Sequence, residues 1–225
     1  MGAALGHYQG NEGERYFRWQ DRLGKWSGIW NAPFFQPAIR PSDRVLDFGC
    51  GAGHLLAALN AGHKVGVEVN PAARSAAEEY GFRVATRLED LEEERFDVVI
   101  SCHALEHVAG PRDILVGLGR RLVGDGRLVL LLPLDDWRSR EQRSFRVNDI
   151  NMHLYCWTPQ ALGNLLWAAD LEPLAVRVVT RSFPPLGPSL WRAGRHVFET
   201  GAALAAFFLR RRQLLAYARP LFRNS

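Results

Sequence analysis

Short apolar runs alternate with segments of helical periodicity along most of the chain. The apolar runs end at glycine or at charged residues, as buried strands do, and the segments between them repeat at the spacing of amphipathic helices. The predicted strands are 45–47, 64–69, 82–85, 96–101 and 127–132. The predicted helices are 54–61, 71–80, 111–122 and 159–169. This alternation predicts a doubly wound, parallel α/β sheet that binds its ligands at the carboxyl ends of the strands.

The chain beyond residue 133 follows a less regular pattern. Residues 134–157 predict a polar loop that opens over the ligand-binding edge of the sheet. Two further strands are predicted at 174–180 and 214–221, and the helix predicted at 191–212 crosses over between them. The apolar face of that helix, which ends in an arginine cluster, is also suited to an anionic membrane surface, and the two roles are compatible.

The start of the chain is rich in aromatic side chains. Tyr16, Trp19 and Leu23 recur at near-helical spacing, which predicts an amphipathic helix ahead of the first strand. This helix either packs on the sheet domain or covers the ligand site as a lid. The predicted units are an aromatic-rich helical cap at 1–43 and a main domain at 44–225, which includes a substrate loop at 134–157 and a helical insertion at 187–212.

Composition and charge favour a globular protein of the cytoplasm. The 225 residues, 47% apolar and 23% charged, suffice for one domain with a full core. No apolar run reaches the roughly 18 to 20 residues of a membrane span. The three cysteines are too widely separated for a disulfide framework or a C-x-x-C metal site. Nine arginines but one acid follow Val176, and this basic tail either contacts an anionic partner, such as the inner membrane surface, or is solvated.

The most informative stretch is the glycine-rich turn after the first strand. It reads D-F-G-C-G-A-G from Asp47 to Gly53, and glycines permit positive φ and let a ligand approach bare backbone. A dinucleotide fingerprint would need glycine at position 54, which is His54. The Asp47 carboxylate would repel phosphates but suits a ligand with an ammonium and a sulfonium. Glu68, 21 positions further on, is spaced to accept both hydroxyls of a ribose.

Four motifs follow one another at regular spacing. They are V-L-D-F-G-C-G-A-G at 45–53, G-V-E-V-N at 66–70, F-D-V-V-I-S-C-H-A-L-E-H-V at 96–108 and L-V-L-L-L-P at 128–133. In this order they resemble class I S-adenosylmethionine (SAM) dependent methyltransferases. The resemblance implies a Rossmann-like doubly wound sheet of seven strands, mostly parallel with an antiparallel last strand, and helices on both faces. It also implies SAM as the cofactor and S-adenosylhomocysteine as its product.

The same resemblance implies which residues bind the cofactor. They are Asp47, Gly49, Cys50, Gly51, Gly53, Glu68, Val69, Leu88, Ser101 and His103. The acid that such enzymes use at adenine is replaced by Arg87, unless Glu89 or Asp90 takes its place.

Two further segments narrow the resemblance. Y-F-R-W-Q at 16–20 and D-I-N-M-H-L-Y-C-W-T-P-Q-A-L-G-N-L at 149–165 are similar to methyltransferases of bacterial surface-polysaccharide gene clusters. That similarity implies methylation of a hydroxyl on a small-molecule or glycan acceptor, which the basic tail would attract if it were anionic or lipid-linked. The predicted substrate-binding residues are Tyr16, Trp19, His107, Asn151 and Tyr155.

Methyl transfer to a hydroxyl is an in-line displacement that needs a proton acceptor. His103, after the fourth strand, and His153, in the long loop, are the candidate catalytic bases because histidine titrates near neutral pH. His107 is expected to organise its loop through hydrogen bonds. The fourth strand is followed by no acid before Glu106, so we expect no bound metal.

Other functions stay open from the sequence. Methylation of nitrogen or carbon on a natural product or quinone is the nearest alternative, although S-C-H-A at 101–104 replaces the Asn/Asp-Pro-Pro-Tyr of many amino methyltransferases. A nicotinamide-dependent oxidoreductase is disfavoured by His54. In a non-catalytic SAM-binding module the histidines would be structural. We expect no nucleic-acid partner, and the sequence does not predict the oligomeric state.

Overall fold

The computed structural model of the protein describes residues 6–22, 24–134, 144–147, 149–180, 184, 186–209 and 212–221. The strands are β1 (Arg44–Phe48), β2 (His63–Val67), β3 (Arg83–Ala85), β4 (Phe96–Cys102), β5 (Leu122–Leu134), β6 (Leu171–Val179) and β7 (Arg212–Pro220). The α-helices are α1 (Gly10–Gln20), α2 (Lys25–Phe35), α3 (His54–Ala58), α4 (Pro71–Glu78), α5 (Pro111–Arg120), α6 (Pro159–Ala168), α7 (Gly187–Ala193) and α8 (Arg195–Leu209). Short 3-10 turns lie at Gln36–Ala38, Leu88–Leu91 and Leu105–His107.

Within these residues the strands form one seven-stranded sheet in the order β3-β2-β1-β4-β5-β7-β6. Strands β1 to β5 pair in parallel, whereas β7 is antiparallel to both of its neighbours. The predicted Rossmann-like sheet and its antiparallel last strand are therefore confirmed. Because the strand order reverses between β1 and β4, the carboxyl ends of these strands open a crevice where ligands bind in such sheets.

The central strands are buried on both faces. On β5, Leu128, Leu130 and Leu132 pack with α5 and α6, while Val129 and Leu131 pack with α2 and α3. A strand with two covered faces reads as a continuous apolar run rather than an alternating one. This burial makes the apolar run of β5 conspicuous in the sequence. Because the central strands are covered on both faces, a site can form only in the loops at their ends.

The start of β5 differs from the prediction. The sequence predicts a helix up to residue 122 and a strand at 127–132, but β5 already begins at Leu122, ahead of the Gly-Asp-Gly turn at 124–126. Pairing with β4 shifts register between Phe96 and Val98, because the residues around the turn bulge out of the ladder. The turn therefore interrupts the strand without ending it.

The helix predicted at 191–212 is in fact two helices. Gly194, with a φ of 132°, separates α7 from α8 in a conformation that L side chains rarely adopt. Helix α8 ends at Leu209, and β7 begins at Arg212, two residues earlier than predicted. Both helices lie between β6 and β7 along the chain, which is the predicted crossover. Among the described helices, none combines the length and apolar character needed to cross a membrane.

Candidate functional site

The glycine turn after β1 lies at the crevice and is shaped by positive φ angles. Gly49, Gly51 and Gly53 have φ of 74°, 54° and 76°. The N–H groups of Gly49 and Cys50 both donate to the Val67 carbonyl, at 2.8 and 3.1 Å, so the turn is fastened to the end of β2. The result is a stretch of nearly bare backbone at the carboxyl ends of β1 and β2.

Asp47 ends up buried beneath this turn. It is 1% exposed, and its Oδ1 has no hydrogen-bond partner among the described residues. Burial, reinforced by the nearby charge of Glu68, raises the pKa of Asp47 to about 8. A buried carboxylate oxygen without a partner is costly, so it suits a ligand that brings a cation or a donor. The ammonium and sulfonium of SAM meet that need.

Glu68 follows β2 and fixes the turn from the other side. Its Oε2 accepts the N–H of Gly51 at 2.9 Å, and its Oε1 accepts the N–H of Asn70 at 2.8 Å. Burial raises the pKa of Glu68, and these backbone donors oppose the rise. Each carboxylate oxygen retains a lone pair, so Glu68 can still accept ribose hydroxyls. Val69 is partly buried between Glu68 and Asn70.

Three other predicted cofactor residues have side chains that are committed to the fold. Cys50 is buried with its Sγ against Gly66. The Ser101 hydroxyl donates to the Phe48 carbonyl at 2.8 Å, and Leu88 belongs to the hydrophobic core. We therefore expect these residues to meet a cofactor through backbone atoms.

The predicted adenine region contains two acids with different surroundings. The Oδ2 of Asp90 accepts the backbone N–H of Arg87 at 2.9 Å and so caps the 3-10 turn that begins at Leu88. Glu89 is exposed and lies one position before Asp90. The cap on the 3-10 turn engages Asp90, which leaves Glu89 as the better candidate acid for adenine.

The N-terminal segment contacts both halves of the crevice. The Asn70 side chain donates to the Gly13 carbonyl at 2.8 Å, which holds α1 against the start of α4. At the end of α1, the Gln20 Oε1 lies beside Gly51. Ahead of α1, the Tyr8 hydroxyl is 2.8 Å from His107 Nδ1. These contacts hold the N-terminal segment against the glycine turn, the start of α4 and the loop after β4.

The three predicted histidines gather around Glu106. This glutamate is fully buried, and neither carboxylate oxygen has a hydrogen-bond partner among the described residues. Its Oε1 lies 3.5 Å from His103 Nδ1 and 3.9 Å from His107 Nε2. The rings of His107 and His153 have centroids 5.0 Å apart. Sequence reasoning passed over Glu106, although its H-x-x-E-H spacing places both imidazoles within one turn of the carboxylate.

The histidines at 103 and 107 have opposite pKa shifts. Desolvation lowers the pKa of His103, but the Glu106 carboxylate and then the Gln213 amide outweigh it, so the pKa is raised. His103 Nε2 is 2.8 Å from Gln213 Oε1, and its side chain is 36% exposed. Burial lowers the pKa of His107, and neighbouring His153 adds to the effect. His103 is thus the more exposed of these two histidines, at 36% against 12%, and the one whose pKa is raised.

The predicted substrate residues divide into two groups. Tyr16 packs edge-on to Tyr8, and its ring centroid lies 5.9 Å from that of Trp19. Tyr16 and Trp19 therefore belong to the aromatic N-terminal segment that contacts His107. Asn151 is partly buried in the loop before His153. Tyr155 instead donates its hydroxyl to the Ala109 carbonyl at 2.7 Å and stacks on Trp157.

Comparison with known families settles the class. A family model described as a methyltransferase domain matches residues 15–176. The chain belongs to this methyltransferase family. With the fold, the match confirms the predicted class I SAM-dependent methyltransferase and its cofactor, SAM.

Curated relatives and solved structures extend this result. Ubiquinone biosynthesis O-methyltransferases of Roseobacter denitrificans and Maricaulis maris are 34% and 38% identical, over 58% and 61% of this chain and 54% and 57% of theirs. The chain thus spans about half the length of the curated relatives it matches. A Haloferax volcanii methyltransferase, solved with the Trm112 activator, has a TM-score of 0.66, 17% identity and 98% coverage of both chains. The names of these relatives do not support the polysaccharide context expected from the sequence.

A side chain at Gly49 of the methyltransferase should damage the cofactor site. In Gly49→Ala, the residue would keep a left-handed φ and its Cβ would overlap the Cβ of Ala104. We expect a loss of about 2 to 5 kcal/mol in the free energy of unfolding from strain and overlap together. Gly81→Ala is the matched control, because Gly81 has a φ of 82° but nothing within 4 Å of an added Cβ. Equal losses of stability in chemical denaturation would show that Ala104 does not constrain the turn.

Proposed function

We propose that this methyltransferase transfers the methyl group of SAM to a phenolic hydroxyl of a quinone-type small molecule. The relatives from Roseobacter and Maricaulis, named as ubiquinone biosynthesis O-methyltransferases, support this acceptor class. The observation that carries the proposal is the pairing of a half-open histidine, His103, with the buried carboxylate of Glu106 at the mouth of the cofactor crevice.

In this proposal His103 is the general base. His103 takes the proton of the acceptor hydroxyl, and the Glu106 carboxylate, 3.5 Å from His103 Nδ1, stabilises the imidazolium that forms. His103 is also adjacent to Ala104, whose Cβ lies against Gly49 in the cofactor turn. His153 packs on His107 instead, so it is the weaker of the two candidate bases.

The acceptor class suggests where the enzyme works. Phe207 and Phe208 of α8 are 72% and 76% exposed, while Phe198 and Ala202 on the same helix are buried against Trp30. A helix with one face packed and exposed phenylalanines at its end is suited to peripheral contact with a membrane that holds a lipophilic acceptor. The arginines at 210 and 211 of the predicted cluster lie outside the described residues.

The membrane contact has a direct test. Replacing Phe207 and Phe208 with serine is expected to reduce co-sedimentation with anionic phospholipid vesicles by at least about fivefold, because it removes two exposed rings. Replacing exposed Trp167 on α6 with serine is the control and should not change vesicle binding. Equal sedimentation of the wild type and the double variant would contradict peripheral contact through α8.

The acceptor class is tested by supplying SAM with one acceptor at a time and measuring S-adenosylhomocysteine. The panel contains a 1,2-dihydroxybenzene bearing an alkyl chain, the corresponding aniline and a hexose. We expect turnover with the dihydroxybenzene and at least about tenfold less with the others. Preferential methylation of the hexose would restore the glycan acceptor, and preferential methylation of the aniline would support an N-methyltransferase.

A further inference from the structure

One histidine beside the glycine turn is not used by the proposed methyl transfer. His54 is the first residue of α3 and directly follows Gly53, and its partly buried imidazole contacts two other elements. Its Nε2 lies 2.7 Å from Oδ1 of Asp21, just beyond the end of α1. Its Nδ1 lies 2.9 Å from the hydroxyl of Tyr80, just beyond the end of α4. His54 therefore joins three elements at the edge of the cofactor turn.

The two partners of the His54 imidazole determine where its proton lies. A carboxylate only accepts hydrogen bonds, so Nε2 carries the proton that is donated to Asp21. In the neutral ring Nδ1 is then an acceptor, and the Tyr80 hydroxyl donates to it. The backbone of His54 is fixed as well, because α2 passes so close that a Cβ at Gly28 would overlap the His54 carbonyl. The imidazole is therefore held in one orientation with both of its nitrogens engaged.

The end of α4 forms a firm support on one side of this imidazole. A Cβ at Gly53 would lie 3.0 Å from the Cβ of Ala77 and 3.5 Å from the Tyr80 ring, so α4 packs directly on the glycine turn. The Tyr80 ring also stacks on Phe82, with 5.7 Å between their centroids. Because this side is packed, the His54 imidazole can act as an anchor for the element on its other side.

That other element is α1, which has little apolar attachment to the sheet. Among the residues of α1, all of which the structure describes, only Gly13 is buried. The last residue of the helix is Gln20, which is exposed and directly precedes Asp21. The Oε1 of Gln20 lies 3.6 Å from the position that a Cβ of Gly51 would occupy. The bond between His54 and Asp21 therefore fixes the end of α1 where the Gln20 amide borders the glycine turn.

We propose that His54 is a positioning residue for SAM binding. Its bond to Asp21 keeps the end of α1 in place, so that the Gln20 amide contacts the methionine part of SAM beside Gly51. That part of SAM has an ammonium and a carboxylate, and a side-chain amide offers an acceptor for the first and donors for the second. Because His54 acts only through Gln20, its loss weakens SAM binding and leaves the reacting groups unchanged.

Two substitutions separate the bond to Asp21 from the bond to Tyr80. Glutamine can place its amide nitrogen near the position of Nε2 and keep the bond to Asp21, whereas the shorter asparagine reaches only the position of Nδ1. Calorimetric titration of the full chain with SAM, and separately with S-adenosylhomocysteine, measures the affinity. We expect about three- to tenfold weaker SAM binding in His54→Asn, as for one partly exposed hydrogen bond to a charged group, and a change within about twofold in His54→Gln.

Substitutions in α1 test the link from the other side. Asp21→Ala removes the same bond at an exposed position, where the core is not disturbed, and should weaken SAM binding as much as His54→Asn. The double variant should lose no more affinity than either single variant, because both changes remove one interaction. Gln20→Ala should also weaken SAM binding, and His54→Asn should have no further effect in that background.

His63→Asn is the matched control. His63 is an exposed histidine at the amino end of β2, on the opposite edge of the sheet, so the variant should bind SAM as the wild type does. Because no acceptor is present, the result is independent of the acceptor class proposed above. The proposal is overturned if Asp21→Ala or Gln20→Ala binds SAM as the wild type does, if His54→Gln loses as much affinity as His54→Asn, or if the losses in His54→Asn and Gln20→Ala add.

Discussion

Replacing His103 with asparagine is expected to lower kcat by about 10²- to 10⁴-fold, the usual contribution of a general base. His103 has a φ of 54°, and asparagine tolerates this conformation better than most residues, so the variant should keep its fold. The KM for SAM should stay nearly unchanged, because the methyl donor is held by the glycine turn. Steady-state kinetics and the thermal unfolding midpoint provide the two measurements.

A series of substituted phenols separates a base from a structural role. If His103 removes the proton, the loss of kcat in His103→Asn should shrink as the phenol becomes more acidic. In the wild type, kcat/KM should rise with pH as His103 loses its proton, through a pKa above the ordinary histidine value, and the variant should lack this step. An equal loss for every phenol, or a larger loss in His153→Ala, would contradict the assignment of the base to His103.

Replacing Asp47 with asparagine should weaken SAM binding by about 10- to 100-fold, because it removes the charge from a buried bond to a cationic ligand. Asp43→Asn is the matched control. Asp43 is also buried, but it lies just before β1 at the opposite edge of the sheet, where it accepts the Arg40 backbone N–H. Calorimetric titration should show unchanged SAM affinity in that control, and equal losses in both variants would contradict the role of Asp47.

The same Asp47→Asn variant should be more stable than the wild type at high pH when SAM is absent. The folded-state pKa of Asp47, about 8, exceeds its ordinary value, so the folded protein binds more protons between pH of about 4 and 8. The free energy of unfolding therefore falls as pH rises through that window. Asparagine removes this contribution, and the unfolding midpoint at pH 9 should exceed that of the wild type by at least about 3 °C. A lower midpoint would show that Asp47 has a stabilising partner.

Much of the fold could be predicted because its strands are buried on both faces. Runs such as Leu128 to Leu132 have no solvent-facing positions, so they stand out as continuous apolar segments. The three positive φ angles of the glycine turn could also be predicted, since glycine adopts such angles with the least strain. Glu68 could be predicted because its distance from Asp47 is set by one strand-helix-strand unit.

The remaining features depend on contacts between distant residues. The glycine at position 194 is compatible with a break between α7 and α8, but helical periodicity continues on both sides of it. The sequence therefore predicts a single helix. The bulge in β5 depends on its register with β4, which no local pattern records. The burial of Glu106 and the approach of His153 result from how the loop around residue 153 folds over β4, and sequence spacing cannot show this.

The central claim is that the crevice between the glycine turn and His103 transfers the methyl group of SAM to a phenolic oxygen. The most direct measurement incubates the enzyme with SAM carrying a ¹³C-labelled methyl group and an alkyl-substituted 1,2-dihydroxybenzene, and follows the label by NMR. The account predicts that the label appears in an aryl methyl ether and that His103→Asn slows its appearance. Label on ring carbon, or label that stays on SAM with every acceptor of the panel, would contradict it.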